Sequence, residues 1–173
     1  MAANTYTLIS SNVLGSSTAS VTFSSIPATY TDLVLKCSMR VSAGFTSGWS
    51  IQLNSTSSVY SNTILYGTGS AASSYNNAAG VYFSESLWVI GASGTSDTFA
   101  SGEIYIPNYT SSVAKQISTF SASENNSTSA NVGSTANLYN TTSAVSTIKI
   151  YDPINSRNLV SGSSFYLYGI KNS

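Results

Sequence analysis

Histidine is absent from this sequence of 173 residues, and cysteine occurs once, at Cys37. Without histidine, the Ser-His and Cys-His pairs that activate many enzymatic nucleophiles cannot form. The Cys and His ligands of a structural zinc site are missing as well, and a lone cysteine cannot form an internal disulfide bond. We therefore expect no enzyme, no cofactor and no metal, and we assign no catalytic, cofactor-binding or metal-binding residue.

Charge is also scarce: 6 basic and 6 acidic residues make up 7% of the chain, and the net charge is zero. The six cations are scattered, which argues against nucleic-acid binding and against an anionic membrane surface. No apolar run reaches the ~18 residues of a membrane span, and the N-terminus lacks the pattern of a signal peptide. We expect synthesis in a cytoplasm and, because neutral proteins tend to associate, a partner protein.

Serine and threonine are abundant, with 57 residues together, and the sequence also has 12 tyrosines. Hydroxyl side chains compete with the helical backbone, whereas Thr and Tyr suit strands. The clearest strand is Asp32–Val41, in which side chains alternate between two faces. The predicted core face carries Leu33, Leu35, Cys37, Met39 and Val41, and the predicted solvent face carries Asp32, Lys36, Ser38 and Arg40.

Further strands are predicted along the whole chain. They are Tyr6–Ser10, Ala19–Ser24, Trp49–Leu53, Tyr60–Tyr66, Val81–Ile90, Thr98–Ile106, Val113–Ala122, Ala136–Tyr139, Val145–Asp152 and Ser164–Lys171. Strands at this spacing predict an all-β fold, an antiparallel sandwich or barrel of about eight to ten strands, as one domain over residues 1–173. Two long loops, Gly67–Gly80 and Ser121–Thr135, are expected to lie on the surface, either as binding loops or as simple connections.

Strand edges point to a second copy of the chain. Monomeric β-proteins protect their edges with Lys, Pro or bulges, and this chain has four Lys and three Pro. We expect another copy to cover the edges.

Two features could carry other chemistry. Glu85 and Glu103 stand on neighbouring predicted strands across the turn Gly91–Asp97, and a hairpin there could pair them as in glycosidases; the alternative is two solvated charges. Tyr75 and Tyr109 fall in loop-like segments and are candidates for stacking on sugars, against the alternative of a Tyr-rich core and rim.

Two passages carry a resemblance to a known group of proteins. The first comprises Tyr6-Thr7-Leu8-Ile9-Ser10, Ala19-Ser20-Val21-Thr22-Phe23-Ser24-Ser25-Ile26-Pro27 and Tyr30-Thr31-Asp32-Leu33-Val34-Leu35. The second is Ser163-Ser164-Phe165-Tyr166-Leu167-Tyr168-Gly169-Ile170-Lys171. Together they resemble small jelly-roll virion proteins of tailed bacteriophages, which include capsid decoration proteins and fibre domains. The middle of the chain has no part in this resemblance.

The resemblance implies an antiparallel jelly-roll β-sandwich that is usually a homotrimer. It implies a structural protein on the virion head surface, a capsid decoration (cement) protein that stabilises the phage head by binding the major capsid protein between capsomers. The alternative is a phage tail or head fibre domain that binds a host surface glycan. We favour the first, because the strand pattern fills the chain and leaves no segment for a shaft.

Overall fold

The computed structural model describes residues 5–44, 46–125 and 130–171, and these form an all-β protein. No helix in the described ranges is long and apolar enough to span a membrane. Twelve strands lie in these ranges, more than the eight to ten expected: β1 (Tyr6–Val13), β2 (Ser20–Phe23), β3 (Asp32–Met39), β4 (Thr46–Leu53), β5 (Tyr60–Gly67), β6 (Ala72–Gly80), β7 (Phe83–Ile90), β8 (Ala100–Ile106), β9 (Lys115–Glu124), β10 (Ala130–Tyr139), β11 (Ile148–Tyr151) and β12 (Ser164–Ile170).

The strands form two antiparallel sheets of unequal size. The large sheet has eight strands in the order β1-β12-β3-β8-β9-β10-β5-β6, and the small sheet has four in the order β2-β11-β4-β7. Apolar side chains from both sheets form one core, as an alternating pattern requires. The predicted antiparallel β-sandwich is thereby confirmed.

The core face predicted for β3 is confirmed, and the predicted solvent face is wrong at both of its ends. Leu33, Leu35, Met39 and Val41 are fully buried and Cys37 nearly so. On the other face, Asp32 and Arg40 are also buried. The Asp32 carboxylate accepts hydrogen bonds from the Tyr105 hydroxyl (2.9 Å) and the Asn108 N–H (2.8 Å). Alternation locates these residues on a face but does not show that later segments fold over them.

β7 pairs within the small sheet and also packs against the large sheet. It is the edge strand of the small sheet, so its outer backbone groups have no neighbouring strand there. The large sheet extends past this edge, and its strands β9, β10 and β5 pack against β7. Their side chains supply the missing hydrogen-bond partners at 2.7–2.8 Å: Asn62 Nδ2 donates to Ser84 O, Thr119 Oγ1 donates to Ser86 O, and Ser121 Oγ accepts from the Trp88 N–H. At this edge, the chain itself provides the cover that we expected from a second copy.

Both predicted long loops are wrong in large part. Residues 72–80 form β6, which pairs with β5 as the last strand of the large sheet. Residues 121–124 and 130–135 belong to β9 and β10, which pair with each other as a hairpin. Of the second predicted loop, residues 126–129 lie outside the described residues.

The predicted hairpin between β7 and β8 is also wrong, because the two strands belong to different sheets. The connection between them crosses from one sheet to the other, and Arg40 holds it in place. The Arg40 guanidinium donates to the carbonyl oxygens of Thr95 (2.7 Å), Gly94 (3.1 Å) and Thr98 (3.2 Å). Because its guanidinium is buried and bonded to these carbonyl oxygens, Arg40 does not lie on the solvent face.

Candidate functional site

The eight-stranded sheet has a broad side that faces away from the small sheet, which we call the outer face. Strand register aligns its residues in rows across all eight strands. One row runs from Ser11 on β1 through Tyr166, Lys36, Glu103, Phe120, Ser134 and Leu65 to Ser74 on β6. Eight strands at ~4.8 Å spacing span about 34 Å. With strands of seven to ten residues, the face covers on the order of 800 Å², the size of one side of a standard protein interface.

Few charges lie on the outer face. Lys36 and Glu103 form an ion pair with each other near its middle. Asp32 is buried under its hydrogen bonds with Tyr105 and Asn108, and Glu124 stands at the end of β9. Most other positions carry hydroxyl or apolar side chains, so a partner can approach without displacing water from many ions.

Two apolar areas mark the opposite ends of this face. At the β1 edge, Tyr6, Leu8 and Val13 are between 51% and 60% exposed, and we call them the edge patch. Toward the other edge, Leu65, Phe120 and Val132 are 46–58% exposed. They surround a depression of about 330 Å³ with Gly67, Ala72 and Gly133 in its lining, which we call the hollow. Three further depressions of about 260, 280 and 410 Å³ open elsewhere on the same face.

Trp88 lies directly behind the hollow, against Gly133. A Cβ at this position would stand 2.3 Å from Trp88 Cδ1 and 2.4 Å from Trp88 Nε1. The Trp88 ring stacks on Tyr66 at 5.0 Å between centroids. The indole therefore occupies the space beneath β10 and leaves no room for a side chain at residue 133.

The two glutamates of the predicted carboxylate pair lie apart, each with its own partner. Glu103 pairs with Lys36 on the outer face. Glu85, on β7, accepts a hydrogen bond from the Tyr75 hydroxyl, and burial raises the pKa of its carboxyl. Because β7 and β8 are in different sheets, the geometry required of a glycosidase pair is not formed by these residues.

The two tyrosines proposed for exposure have different surroundings from those expected. Tyr109 is fully buried, and its hydroxyl donates to Pro27 O. Tyr75 is half-buried on β6, where its ring contacts Tyr66 edge-on at 6.0 Å. Tyr166 and Tyr168 on β12 are half-buried on the outer face, while Phe165 and Leu167 fill the core.

A smaller aromatic group lies on the outward side of the small sheet. The Lys149 ammonium stands 4.3 Å from the centre of the Tyr151 ring. Tyr82 meets the same ring edge-on at 5.8 Å, and Tyr82, Lys149 and Tyr151 are all half-buried. Sequence analysis did not single out these residues.

Two buried charges stabilise loops. The Lys115 ammonium donates to Ser143 O (2.6 Å) and Thr141 O (3.2 Å), and desolvation lowers its pKa. Burial by itself would raise the pKa of Asp152, but hydrogen bonds from the Asn155 N–H, the Arg157 side chain and the Ile154 N–H, together with the Arg157 charge, hold it below its usual value. Lys115 and Asp152 therefore stabilise loops of the fold.

Burial raises the pKa of the Cys37 thiol to about 12, in keeping with its interpretation as a core residue.

Phe120, Val132 and Leu65 are the surface residues that sequence analysis missed. Phe120 could have been identified from the sequence, because this apolar residue occupies a solvent-side position of β9 among Gln116, Ser118 and Ala122.

No group of three or more His, Cys, Asp or Glu residues in the described ranges could hold a metal ion. Comparisons with protein-family models, curated proteins and solved structures found no match to this chain.

Proposed function

We propose that this chain is a structural virion protein, a capsid decoration protein that binds between the capsomers of a bacteriophage head as a trimer. The observation that carries the proposal is the outer face, which is broad, sparsely charged and uncovered in a single chain. A surface of this area serves contact with a protein partner better than catalysis on a small substrate, since small substrates bind in concave sites.

Strand order supports the jelly-roll part of the proposal. The hairpins β5–β6 and β9–β10 both add to one end of the large sheet. When they are set aside, the eight remaining strands are ordered β1-β12-β3-β8 and β2-β11-β4-β7. Renumbered from one to eight, these orders are 1-8-3-6 and 2-7-4-5. Successive strands alternate between the sheets except for strands 4 and 5, which are neighbours in the small sheet, as in a two-sheet jelly roll. The two hairpins are then additions that widen the outer face.

The mechanism follows from mass action. A protein that binds only the assembled shell stabilises that shell by its binding free energy. Contacts that bridge neighbouring capsomers must break before the shell opens, so the bound trimer raises the cost of rupture. The proposed function involves no catalysis.

Shell stability tests this function. Particles that lack the protein are heated and osmotically shocked with and without the purified chain, and genome release is measured. We expect added protein to raise the release temperature by several degrees. Phe120→Asp should lose most of the effect and Thr22→Asp, on the outward side of the small sheet, should keep it. Equal release from bare and complete particles would refute the decoration role.

A fibre domain that binds a glycan is the second candidate, and the group of Tyr82, Lys149 and Tyr151 favours it. Tyrosine rings stack on sugars, and the ammonium beside them is a hydrogen-bond donor. A glycan array with the wild-type chain and with Tyr151→Ala tests it. Binding that Tyr151→Ala abolishes would support a fibre role, and an array without signal would count against it.

A further inference from the structure

Glu85 occupies an irregular point of β7. The pairing of β4 with β7 is interrupted between Trp49 and Ile51, where residues 84–86 stand opposite Ser50. The φ angle of Glu85 is 48°, in the left-handed region that glycine adopts without strain and that larger residues rarely adopt. Bulges and strained residues often serve to aim a side chain at a functional contact. The backbone here aims a carboxyl group.

Gly48 on β4 leaves room for this conformation. A Cβ at residue 48 would lie 2.5 Å from both Cβ and Cγ of Glu85 and 2.7 Å from its Cα. The φ angle of Gly48 is outside the left-handed region, so space rather than backbone conformation requires glycine at this position. The two neighbouring strands are therefore fitted to each other around the Glu85 side chain.

The carboxyl of Glu85 reaches from the small sheet to the large sheet. It accepts a hydrogen bond from the Tyr75 hydroxyl on β6. β6 is an edge strand of the large sheet, β7 is an edge strand of the small sheet, and only residues 81 and 82 connect them. The hydrogen bond therefore links the edges of the two sheets. It holds the β5–β6 hairpin, which forms one wall of the hollow, against β7.

Aromatic rings lie next to this contact. The Tyr75 ring meets Tyr66 edge-on at 6.0 Å, and Tyr66 stacks on Trp88 at 5.0 Å between centroids. Glu85 is half-buried beside this group. An ionised carboxyl in such surroundings loses hydration, and it needs a nearby cation to offset that loss.

No such cation faces Glu85 from the described strands that pack against β7, which are β4, β5, β6, β8, β9 and β10. β4 has no titratable side chain. Apart from Tyr66 and Tyr75, the titratable residues of the other strands are engaged or placed elsewhere: Tyr60 with Leu53 O, Tyr139 with Thr56, Lys115 with two loop carbonyls, Glu103 with Lys36, Tyr105 with Asp32, and Glu124 at the end of β9. Burial accordingly raises the pKa of the Glu85 carboxyl.

We propose that Glu85 and Tyr75 form a protonation-dependent clasp, which holds the β5–β6 hairpin firmly against β7 when Glu85 is neutral and loosens when Glu85 is ionised. A neutral carboxyl still has an oxygen that accepts from the Tyr75 hydroxyl, and it avoids the cost of a half-buried charge. The closed clasp binds the proton more tightly than the open one. Its full stabilisation is therefore present below the usual pKa of glutamate and is lost as pH rises through the raised value.

Hydrogen exchange of the β6 amides tests the clasp. Protection is measured between about pH 4 and pH 8 and corrected for intrinsic exchange rates, so that it reports local opening. We expect protection of β6 to fall several-fold relative to β3 as pH rises. Glu85→Gln, which is neutral throughout, should keep high protection over the whole range. Glu103→Gln, the matched change at the glutamate paired with Lys36 on the outer face, should keep the wild-type profile.

Tyrosine variants test the other half of the clasp. Tyr75→Phe keeps the ring beside Tyr66 but removes the donor, and we expect β6 to be less protected than in wild type even in acid. Tyr66→Phe removes a hydroxyl from the neighbouring ring and should leave protection unchanged. Thermal melting checks that each variant folds cooperatively.

Two results would overturn the proposal. One is a wild-type chain whose β6 protection, relative to β3, does not change with pH, which needs no variant to establish. The other is a folded Glu85→Gln protein with the same pH profile as wild type. The clasp goes beyond the proposed function and requires no particle, so its failure leaves the decoration role standing. A chain that shows the clasp but never binds particles refutes the decoration role alone.

Discussion

At the scale of single residues, four of the twelve charged residues are buried and bonded inside the fold. Asp32, Arg40, Lys115 and Asp152 are all buried, and each has backbone hydrogen-bond partners. A buried charge is costly unless it is hydrogen-bonded, so these four residues indicate where loops are fixed. Sequence alternation could predict the core face of β3, but it could not predict these burials, because each depends on a distant segment.

Arg40 provides one prediction at this scale. Arg40→Met keeps much of the aliphatic volume but removes the donors to the carbonyls of Thr95, Gly94 and Thr98. We expect the free energy of unfolding in urea to fall by about 2–3 kcal/mol, as for loss of hydrogen bonds to a charged group. Lys36→Met, which removes an exposed ion pair, should change it by less than about 1 kcal/mol. Equal effects of the two substitutions would contradict the role assigned to Arg40.

Asp152 gives a pH dependence of defined sign. Its pKa is lower in the folded chain than in the unfolded chain, where an aspartate titrates near pH 4. Its stabilising contribution is therefore present above about pH 4 and is lost as pH falls through the lower folded value. Asp152→Asn should lower the free energy of unfolding by about 1–2 kcal/mol at pH 7. The difference should shrink toward zero in acid, and a difference independent of pH would disprove this account.

At the scale of elements, hydroxyl and amide side chains take the place of a neighbouring strand along β7. Thr119 also hydrogen-bonds Thr135 at 2.6 Å, and Asn137 Nδ2 donates to Thr135 Oγ1 at 2.7 Å. These side chains face inward, between β7 and the large sheet. A strand whose inward positions are polar lacks the apolar alternation that reveals strands in a sequence.

The polarity of inward-facing positions explains which strands could be predicted from the sequence. Strands that contribute to the apolar core, such as β3 and β12, were predicted with nearly correct bounds. The first half of β10 was not, because its buried positions include Asn131, Gly133 and Thr135. β6 consists largely of Ala, Ser and Asn, which have low strand preference, and its pairing with β5 determines its conformation. The hollow was not predictable, since it forms only when β5, β6, β9 and β10 align.

The edge of β7 gives a prediction for this scale. Thr119→Val is close to isosteric but removes the hydroxyl that donates to Ser86 O and bonds Thr135, so buried acceptors lose a partner. We expect a loss of about 1–3 kcal/mol in the free energy of unfolding. Thr63→Val, the same substitution at an exposed position of β5, should have an effect within about 0.5 kcal/mol. Chemical denaturation measures both, and a Thr119→Val protein as stable as wild type would contradict the proposed cover of this edge.

At the scale of the whole molecule, neutrality, polar interior contacts and a wide open face agree with a protein that functions through contact. On the outer face, Lys36 and Glu103 pair with each other and Asp32 is buried, so this face can meet a partner at little desolvation cost. The two inserted hairpins enlarge that face, and exposed apolar residues lie at both of its ends.

Cryo-electron microscopy of particles that carry the protein tests the central claim most directly. We expect density for this chain where capsomers meet, as trimers, with the outer face of the large sheet within the contacts. Density confined to a fibre tip, or single copies bound through the outward side of the small sheet, would contradict it.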